Sequence, residues 1–264
     1  MRHAGVLGSP IAHSLSPALH RAAYAALKLD WSYESYEVDE WELPAFIAEL
    51  DGSWAGLSLT MPLKSAVIAL LDSVDETAAI ITSVNTVLPS DGGWRGVNTD
   101  IFGIVRSLAF AGLIRPRTAT VLGAGATARS AVAALAELSV RDVTVVARRP
   151  EAAADLVRLA GQLGLTARPA PFEGSPGVLQ ADVVISTLPG DAAGPWAACA
   201  AEATGVLLDA AYHPWPTPLA AAWPSARVAS GRDMLLWQAV RQVELMTGLP
   251  APVEAMAAAL PALD

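Results

Sequence analysis

Residues 118–149 read TATVL-GAGATARSAVAALAEL-SVRDVTVVARR, and this stretch decides the fold. Thr118–Leu122 is a short apolar run containing β-branched residues, which is typical of a buried strand. Gly123 and Gly125 follow, and alanine-rich helix-forming sequence then leads to a second apolar run, Val143–Ala147. A strand, glycine turn, helix and strand within about thirty residues predict the βαβ unit that binds dinucleotides.

The glycine turn has the spacing of a cofactor loop, with alanine at its third position, Ala128. That position mainly allows close helix–strand packing, so alanine is an accepted substitute. Backbone amides at the start of the helix can approach a pyrophosphate, which the helix dipole favours. We therefore predict cofactor binding by Gly123, Ala124, Gly125 and Ala126; the alternative is a tight βα turn without a ligand.

The end of the second strand indicates which dinucleotide is bound. A NAD site usually has an acidic residue there that accepts a hydrogen bond from the ribose 2′-hydroxyl. Here Ala147 is followed by Arg148 and Arg149, and a guanidinium matches a phosphate with paired donors. The prediction is NADP, and the alternative is two solvated arginines preceding a helix.

Composition limits the remaining classes of protein. Of 264 residues, 53% are hydrophobic and 16% charged, which predicts a large core in one or two domains and argues against disorder. The net charge of −9 argues against a nucleic-acid partner. The single cysteine, Cys199, excludes an internal disulfide and is compatible with a reducing compartment.

Three further absences shape the expectation. The first residues lack the long apolar core of a signal peptide, and no apolar run reaches membrane-spanning length. The four histidines are scattered without the paired spacing of metal ligands. We therefore expect a cytoplasmic protein with no membrane partner and no metal.

The front of the chain carries the candidate binding and catalytic side chains. Ser14 and Ser16 precede a helix that begins near Pro17, so their hydroxyls make a candidate carboxylate site; alternatively Ser16 only caps the helix. Lys64 falls in the first turn of a helix opened by Pro62, where a cation opposes the dipole; alternatively it is a surface lysine. Asp100 follows a predicted hairpin and is either a site residue or an N-cap.

The remaining sequence alternates between strands and helices up to a long helix from Gly231. In a doubly wound sheet the ligands lie beyond the carboxyl ends of the strands. The predicted fold is α/β with two domains: a Rossmann-type doubly wound parallel sheet in residues 103–235, and an α/β substrate domain with a mostly parallel sheet in residues 1–102 plus 236–264.

Seven short motifs, in this order along the chain, together resemble the shikimate dehydrogenase family. The motifs are GSPIAHSLSP (8–17), TMPLK (60–64), VNT (84–86), GVNTD (96–100), GAG (123–125), YHPWPTPL (212–219) and GRDMLLWQ (231–238). The resemblance covers essentially the whole chain. It implies a two-domain enzyme with a cleft that reduces 3-dehydroshikimate to shikimate with NADPH in aromatic amino-acid biosynthesis.

The resemblance also implies a role for each matching residue. Lys64 and Asp100 are the implied catalytic pair, and Ser14 and Ser16 are the implied carboxylate ligands. The implied contacts to the ring hydroxyls and the substrate edge are Thr60, Asn85, Asp100, Gln238 and Tyr212. The implied cofactor contacts are Gly123, Gly125, Arg148, Thr187, Gly231 and Met234.

Three departures from the family pattern leave alternatives open. Ser58 stands where the family usually has asparagine, and Ala126 replaces a common third loop residue. The usual Asn-Arg-Thr phosphate clamp is Ala147-Arg148-Arg149, which keeps an arginine and loses an amide and a hydroxyl. The alternatives are a NAD-dependent quinate/shikimate dehydrogenase or a nucleotide-sensing protein without turnover, and either a monomer or a homodimer fits.

Overall fold

The structure, a computed structural model, describes residues 1–173, 176–224 and 226–261. The chain forms two compact units. The first unit comprises Met1–Thr99 with Gln238–Ala262, and the second is built from Asp100–Trp237. Each unit contains one six-stranded sheet. The predicted boundaries of a substrate domain and a cofactor domain stay predictions.

The first unit contains a mixed sheet with the strand order β2-β1-β3-β5-β6-β4. Its strands are β1 (Arg2–Gly8), β2 (Trp31–Glu37), β3 (Trp54–Leu59), β4 (Ser73–Val74), β5 (Thr86–Ser90) and β6 (Gly93–Val97). Its helices are α1 (Ser16–Ala26), α2 (Leu43–Ala48), α3 (Leu63–Ala66) and α4 (Glu76–Ile80), with a 3-10 helix at Val67–Leu70.

Strand pairing in the first unit follows from its connections. Strands β1, β2 and β3 are parallel because helices connect them, while β5 and β6 form an antiparallel hairpin that pairs with β3. Along β3, Leu57 and Leu59 pack with residues of α2 and α3 in one core. Ser58 therefore points to the opposite face of the sheet, because successive side chains alternate.

The second unit contains a fully parallel sheet with the order β12-β11-β10-β7-β8-β9. Its strands are β7 (Thr118–Leu122), β8 (Asp142–Val146), β9 (Thr166–Ala170), β10 (Val183–Ser186), β11 (Val206–Asp209) and β12 (Val228–Ser230). Its helices are α5 (Asp100–Phe110), α6 (Ala126–Glu137), α7 (Pro150–Gln162), α8 (Gly194–Ala197) and α9 (Pro218–Ala222), with 3-10 helices at Pro176–Leu179, Gly190–Ala193 and Ala200–Glu202.

This order confirms the predicted doubly wound sheet. Strand order reverses between the neighbouring strands β7 and β10, and such a switch point is where open parallel sheets bind ligands. Strands β10 and β11 are buried along their whole length, as expected for central strands covered on both faces. Helix α10 (Gly231–Thr247) begins in the second unit, and α11 (Val253–Ala258) belongs to the first.

Several local predictions were wrong. Ser16 is the first residue of α1 rather than its N-cap, which is Leu15 without a capping side-chain bond. The single helix predicted to open at Pro62 is a short α-helix followed by a 3-10 helix. Strand β4 and helix α4 were not predicted, because β4 has two residues and α4 only five, too few for a periodic pattern.

Candidate active site

The predicted substrate residues of the first unit gather at one sheet edge, where β1 and β3 end and β5 begins. The amide of Thr60 donates to the carbonyl of Leu7 (2.9 Å), and the amide of Ser9 donates to that of Met61 (3.1 Å). A Cβ at Gly8 would lie 2.3 Å from Thr60 Cγ2, so glycine allows this approach. The segments after β1 and β3 therefore lie side by side.

Lys64 belongs to the same edge. It is the second residue of α3 and is half-buried, and its carbonyl accepts a hydrogen bond from the amide of Val84 (2.8 Å). The amide of Leu59 donates to the carbonyl of Asn85 (2.8 Å). These two backbone bonds hold the lysine segment against the segment that carries Asn85.

Asn85 is buried, with 2% of its surface exposed, and has a tightly defined position. Its Oδ1 accepts from the amide of Thr99 (2.7 Å) and from Thr86 Oγ1 (2.9 Å). Asp100 follows Thr99 directly, is 4% exposed and is the first residue of α5. Asn85 therefore fixes the backbone immediately before the predicted catalytic carboxylate. Whether Lys64 and Asp100 meet stays a prediction, because these residues belong to different units.

The two predicted carboxylate ligands lie in the loop and helix that follow β1. The amide of Ser16 donates to Ser14 Oγ at 3.4 Å. Ser16 is buried and Ser14 is half-buried. Burial raises the pKa of Tyr33, so this phenol stays protonated. Ser16 does not cap α1 with its side chain, and its role as a carboxylate ligand stays a prediction.

Gln238 reaches the first unit from α10 and is buried. One helical turn later, Gln242 Nε2 donates to Thr86 Oγ1 (2.9 Å) and to the carbonyl of Asn85 (3.3 Å). Side chains four residues apart share a helix face, so Gln238 lies on the face that packs against Asn85. Sequence reasoning missed Gln242, because its partners lie more than 150 positions away in the sequence.

The glycine turn of the second unit lies at the switch point between β7 and β10. Gly123 has a φ of +111°, and a Cβ there would lie 2.2 Å from Thr187 Oγ1. Thr187 donates its amide (2.8 Å) and its hydroxyl (3.0 Å) to the carbonyl of Leu122. Two predicted cofactor residues, Gly123 and Thr187, are therefore in direct contact.

The start of α6 fits a pyrophosphate. Gly125 is its N-cap, and no side chain in the described part of the chain caps it. A Cβ at Gly125 would meet no heavy atom within 4 Å among the described residues, so the space in front of the helix is open. Ala124 is half-buried and Ala126, the first helical residue, is exposed. Uncapped amides facing open space are the arrangement that binds phosphate.

Arg148 and Arg149 lie between β8 and α7, with Arg149 at the N-cap position of α7. Both are exposed. They follow the strand next to β7, which is where a 2′-phosphate group is read in this fold. Their guanidinium groups are therefore accessible at the expected edge of the sheet.

Tyr212 follows β11 and is half-buried, and burial raises its pKa. A Cβ at Gly231 would lie 2.0 Å from the carbonyl oxygen of Ala210 and 3.1 Å from Tyr212 Cδ1. The start of α10 thus packs directly on the tyrosine loop. Met234 is buried at the end of the first turn of α10, and the neighbouring Asp233 Oδ2 accepts from the amide of Ser230 (2.8 Å).

Asp209 anchors the same loop and was missed by sequence reasoning. It is 0% exposed, accepts from Thr217 Oγ1 (2.6 Å) on Oδ2 and from the amide of Ala211 (3.3 Å) on Oδ1. Burial raises the pKa of its carboxyl. The sequence signal that could have identified it is an aspartate at the end of an apolar strand, followed by a Thr-Pro pair. Asp209 and Thr217 hold together the two ends of the loop that carries Tyr212.

Within the described residues, no group of three or more His, Cys, Asp and Glu residues is arranged to hold a metal ion. None of the helices in this part of the chain has both the length and the apolar character needed to cross a membrane.

Two family profiles match the chain. The shikimate dehydrogenase substrate binding domain matches residues 6–87, and the shikimate 5′-dehydrogenase C-terminal domain matches residues 231–260. A curated protein named shikimate dehydrogenase (NADP(+)) from Methanothermobacter thermautotrophicus is 35% identical over 97% of this chain and 94% of its own length.

Solved structures are also similar to the chain. The crystal structure of Mycobacterium tuberculosis shikimate dehydrogenase is 47% identical, covers 98% of both chains and superposes with a TM-score of 0.92. The Thermus thermophilus shikimate 5-dehydrogenase in complex with NADP(H) and shikimate is 32% identical over 98% of both chains, with a TM-score of 0.83. The chain is a member of the shikimate dehydrogenase family.

Proposed function

We propose that the chain catalyses the reversible reduction of 3-dehydroshikimate to shikimate with NADPH, a step of the shikimate pathway of aromatic amino-acid biosynthesis. Curated relatives carry the name shikimate dehydrogenase (NADP(+)), and the Thermus thermophilus relative was solved with NADP(H) and shikimate. The observation that carries the proposal is the sheet edge of the first unit, where backbone bonds hold the Lys64 segment against Asn85.

The chemistry assigns roles to Lys64 and Asp100. NADPH, when bound, supplies the hydride that reduces the carbonyl carbon. Lys64 donates a proton from Nζ to the carbonyl oxygen, and its charge stabilises the oxyanion as it forms. Asp100 orients the ammonium group and accepts a hydrogen bond from a neighbouring ring hydroxyl. In the oxidative direction Lys64 takes the hydroxyl proton back.

Substrate recognition uses the other residues at this edge. Ser14 and Ser16 donate to the substrate carboxylate, an interaction that does not need a net positive surface. Thr60, Asn85 and Gln238 contact ring hydroxyls, and Tyr212 approaches the substrate edge. Both Asn85 and Gln238 are buried amides.

Cofactor binding is assigned to the second unit. Residues 123–126 would hold the pyrophosphate on the open, uncapped start of α6. Arg148 and Arg149 would pair with the 2′-phosphate. Thr187, Gly231 and Met234 would line the remaining part of the cofactor site, since they follow β10 and β12 at the same sheet edge. The proposed cofactor domain is residues 103–235, and the proposed substrate domain is residues 1–102 plus 236–264.

The proposal also includes a cellular location and a set of partners. The single cysteine is compatible with a reducing compartment, which supports a cytoplasmic location. The proposed partners are the small-molecule substrate and the cofactor, for a monomer or a homodimer, without nucleic acid or membrane.

The test is a spectrophotometric assay of the purified protein with shikimate or quinate against NADP or NAD. We expect oxidation of shikimate with NADP to exceed the other three combinations. Faster turnover of quinate with NAD would replace this proposal with a quinate/shikimate dehydrogenase. Tight NADPH binding without turnover of either acid would indicate a nucleotide sensor.

A further inference from the structure

A buried chain of hydrogen bonds runs beneath the predicted substrate edge, entirely within the first unit. Its centre is Gln242 in α10, which is 1% exposed. We call it the Gln242 network. Its members are His20, Tyr33, Ser58, Asn85, Thr86 and Gln242.

The first half of the network leads to the carbonyl oxygen of Gln242. Tyr33 OH donates to Ser58 Oγ (2.6 Å), and Ser58 Oγ donates to Gln242 Oε1 (2.8 Å). An amide oxygen can only accept, so the single hydroxyl hydrogen of Ser58 points at Gln242 and Tyr33 must be the donor to Ser58.

His20 fixes the same end of the amide. Its Nε2 lies 3.2 Å from Gln242 Oε1, so Nε2 carries the ring hydrogen. Burial lowers the pKa of His20 to about 3, so the ring is neutral at physiological pH. Gln242 Nε2 lies 3.3 Å from the backbone carbonyl of Asn85, which can only accept, so the amide nitrogen faces Asn85 and Thr86 and Oε1 faces His20 and Ser58.

The second half of the network leads to Asn85. Gln242 Nε2 donates to Thr86 Oγ1 (2.9 Å), so Thr86 accepts there and its own hydrogen goes to Asn85 Oδ1 (2.9 Å). Asn85 Oδ1 also accepts from the amide of Thr99 (2.7 Å). The oxygen of the Asn85 amide is thus committed to the protein. Its Nδ2, which donates to Thr99 Oγ1 (3.0 Å), is the donor end.

We propose that Gln242 is a positioning residue for substrate recognition: it orders the proton of Thr86, which acts together with the amide of Thr99 to hold the amide orientation of Asn85. A ring hydroxyl bound at Asn85 then meets an NH₂ donor and not a carbonyl oxygen. This inference rests on the proposed function, in which Asn85 contacts the substrate. Gln242 acts through Asn85 and takes no part in proton or hydride transfer.

The test uses Gln242→Met, which removes both halves of the amide at similar side-chain volume, and Thr86→Val, which removes the hydroxyl alone. We expect either change to raise the KM for shikimate about tenfold, the effect of one lost or reversed hydrogen bond, with the KM for NADP unchanged. Thr247→Val is the matched control, because among the described residues Thr247 Oγ1 bonds only to Val243 in α10 and to Leu249 just beyond it. It should leave both KM values unchanged.

A double-mutant cycle separates positioning from stability. In an Asn85→Ala background, Gln242→Met should raise the KM for shikimate no further, because the residue through which it acts is gone. Equal increases in both backgrounds, or an unchanged KM in folded Gln242→Met and Thr86→Val, would overturn the inference. If Gln242→Met does not fold, the same cycle is run with Thr86→Val in its place, and that result decides whether the inference holds.

Failure of this inference is distinguishable from failure of the proposed function. Wild-type protein that does not oxidise shikimate with NADP overturns both. Wild-type protein that does so, with additive effects in the cycle, overturns only the role of Gln242.

Discussion

Two glycines of one turn should separate folding from cofactor binding. A Cβ at Gly125 would meet open space, and its φ of −86° suits alanine. Gly125→Ala loses a modest N-cap preference and gains about 0.4–1 kcal/mol from a less flexible unfolded chain, so stability should barely change. Its methyl would, however, occupy the space where we place the pyrophosphate. We expect the Kd for NADPH to rise about 10- to 100-fold, as for about 1.4–2.8 kcal/mol of lost contact.

Gly123→Ala is the comparison variant. We expect it to lower stability, which Gly125→Ala leaves nearly unchanged. Its φ of +111° costs an alanine about 1–3 kcal/mol, and its Cβ would displace Thr187 Oγ1, 2.2 Å away. Losing the bond from Thr187 to the Leu122 carbonyl costs about 1 kcal/mol more. A total of about 2–4 kcal/mol should lower the Tm of a unit of this size by roughly 5–15 °C.

The assay pairs a fluorescence titration of NADPH with differential scanning calorimetry for each variant. The KM for shikimate, measured at saturating NADP, reports on the first unit and should be unchanged in Gly125→Ala. Wild-type NADPH affinity in Gly125→Ala would refute the placement of the pyrophosphate. A wild-type Tm in Gly123→Ala would refute the argument from backbone strain.

Three further predictions concern single side chains. Lys64→Ala should lower kcat by on the order of 10²-fold or more and change KM less, because the contact forms in the transition state; an unchanged kcat in steady-state assays removes the lysine from catalysis. Arg148→Ala and Arg149→Ala should raise the KM for NADPH and leave that for NADH nearly unchanged, whereas equal effects on both cofactors would contradict the 2′-phosphate assignment. Burial raises the pKa of Asp209, so the folded protein holds this proton more tightly than the unfolded chain does, and the stabilisation present at low pH is lost as pH rises through the raised pKa. Asp209→Asn should therefore remove that downward step from a profile of Tm against pH. The substitution also weakens the bond from Thr217, which lowers Tm at every pH. If the profiles of the wild-type protein and the variant run parallel, Asp209 does not titrate in this way.

Local sequence predicted the second unit well because its signals are local. Strand β7 lies where the apolar run Thr118–Leu122 predicted it, and α6 lies in the alanine-rich sequence after the glycine turn. Each depends on a run of like residues or on a glycine at a turn, and these act through neighbours in the chain. Strand β11, in contrast, ends at Asp209, whose side chain accepts a hydrogen bond from Thr217 in the loop that follows.

The candidate site was harder to predict where its parts depend on distant partners. The role of Ser16 was open between a cap and a ligand, and only the packing of α1 showed that Leu15 occupies the cap position. Gln242 looked like one polar residue in a long helix. Its bonds to Ser58 and Thr86 join residues more than 150 positions apart, and no local pattern encodes such a contact.

The amino-acid sequence by itself determined the class of the fold, the glycine turn and the order of the motifs, since backbone conformation and burial of apolar runs act over a few residues. The tertiary structure alone decided which polar side chains meet. A hydrogen bond requires two groups within about 3 Å, and chain folding brings them there from sequence distances that no short pattern spans. In this protein the tertiary structure decides which group donates and which accepts in the hydrogen bonds that lead from Tyr33 through Gln242 to Asn85.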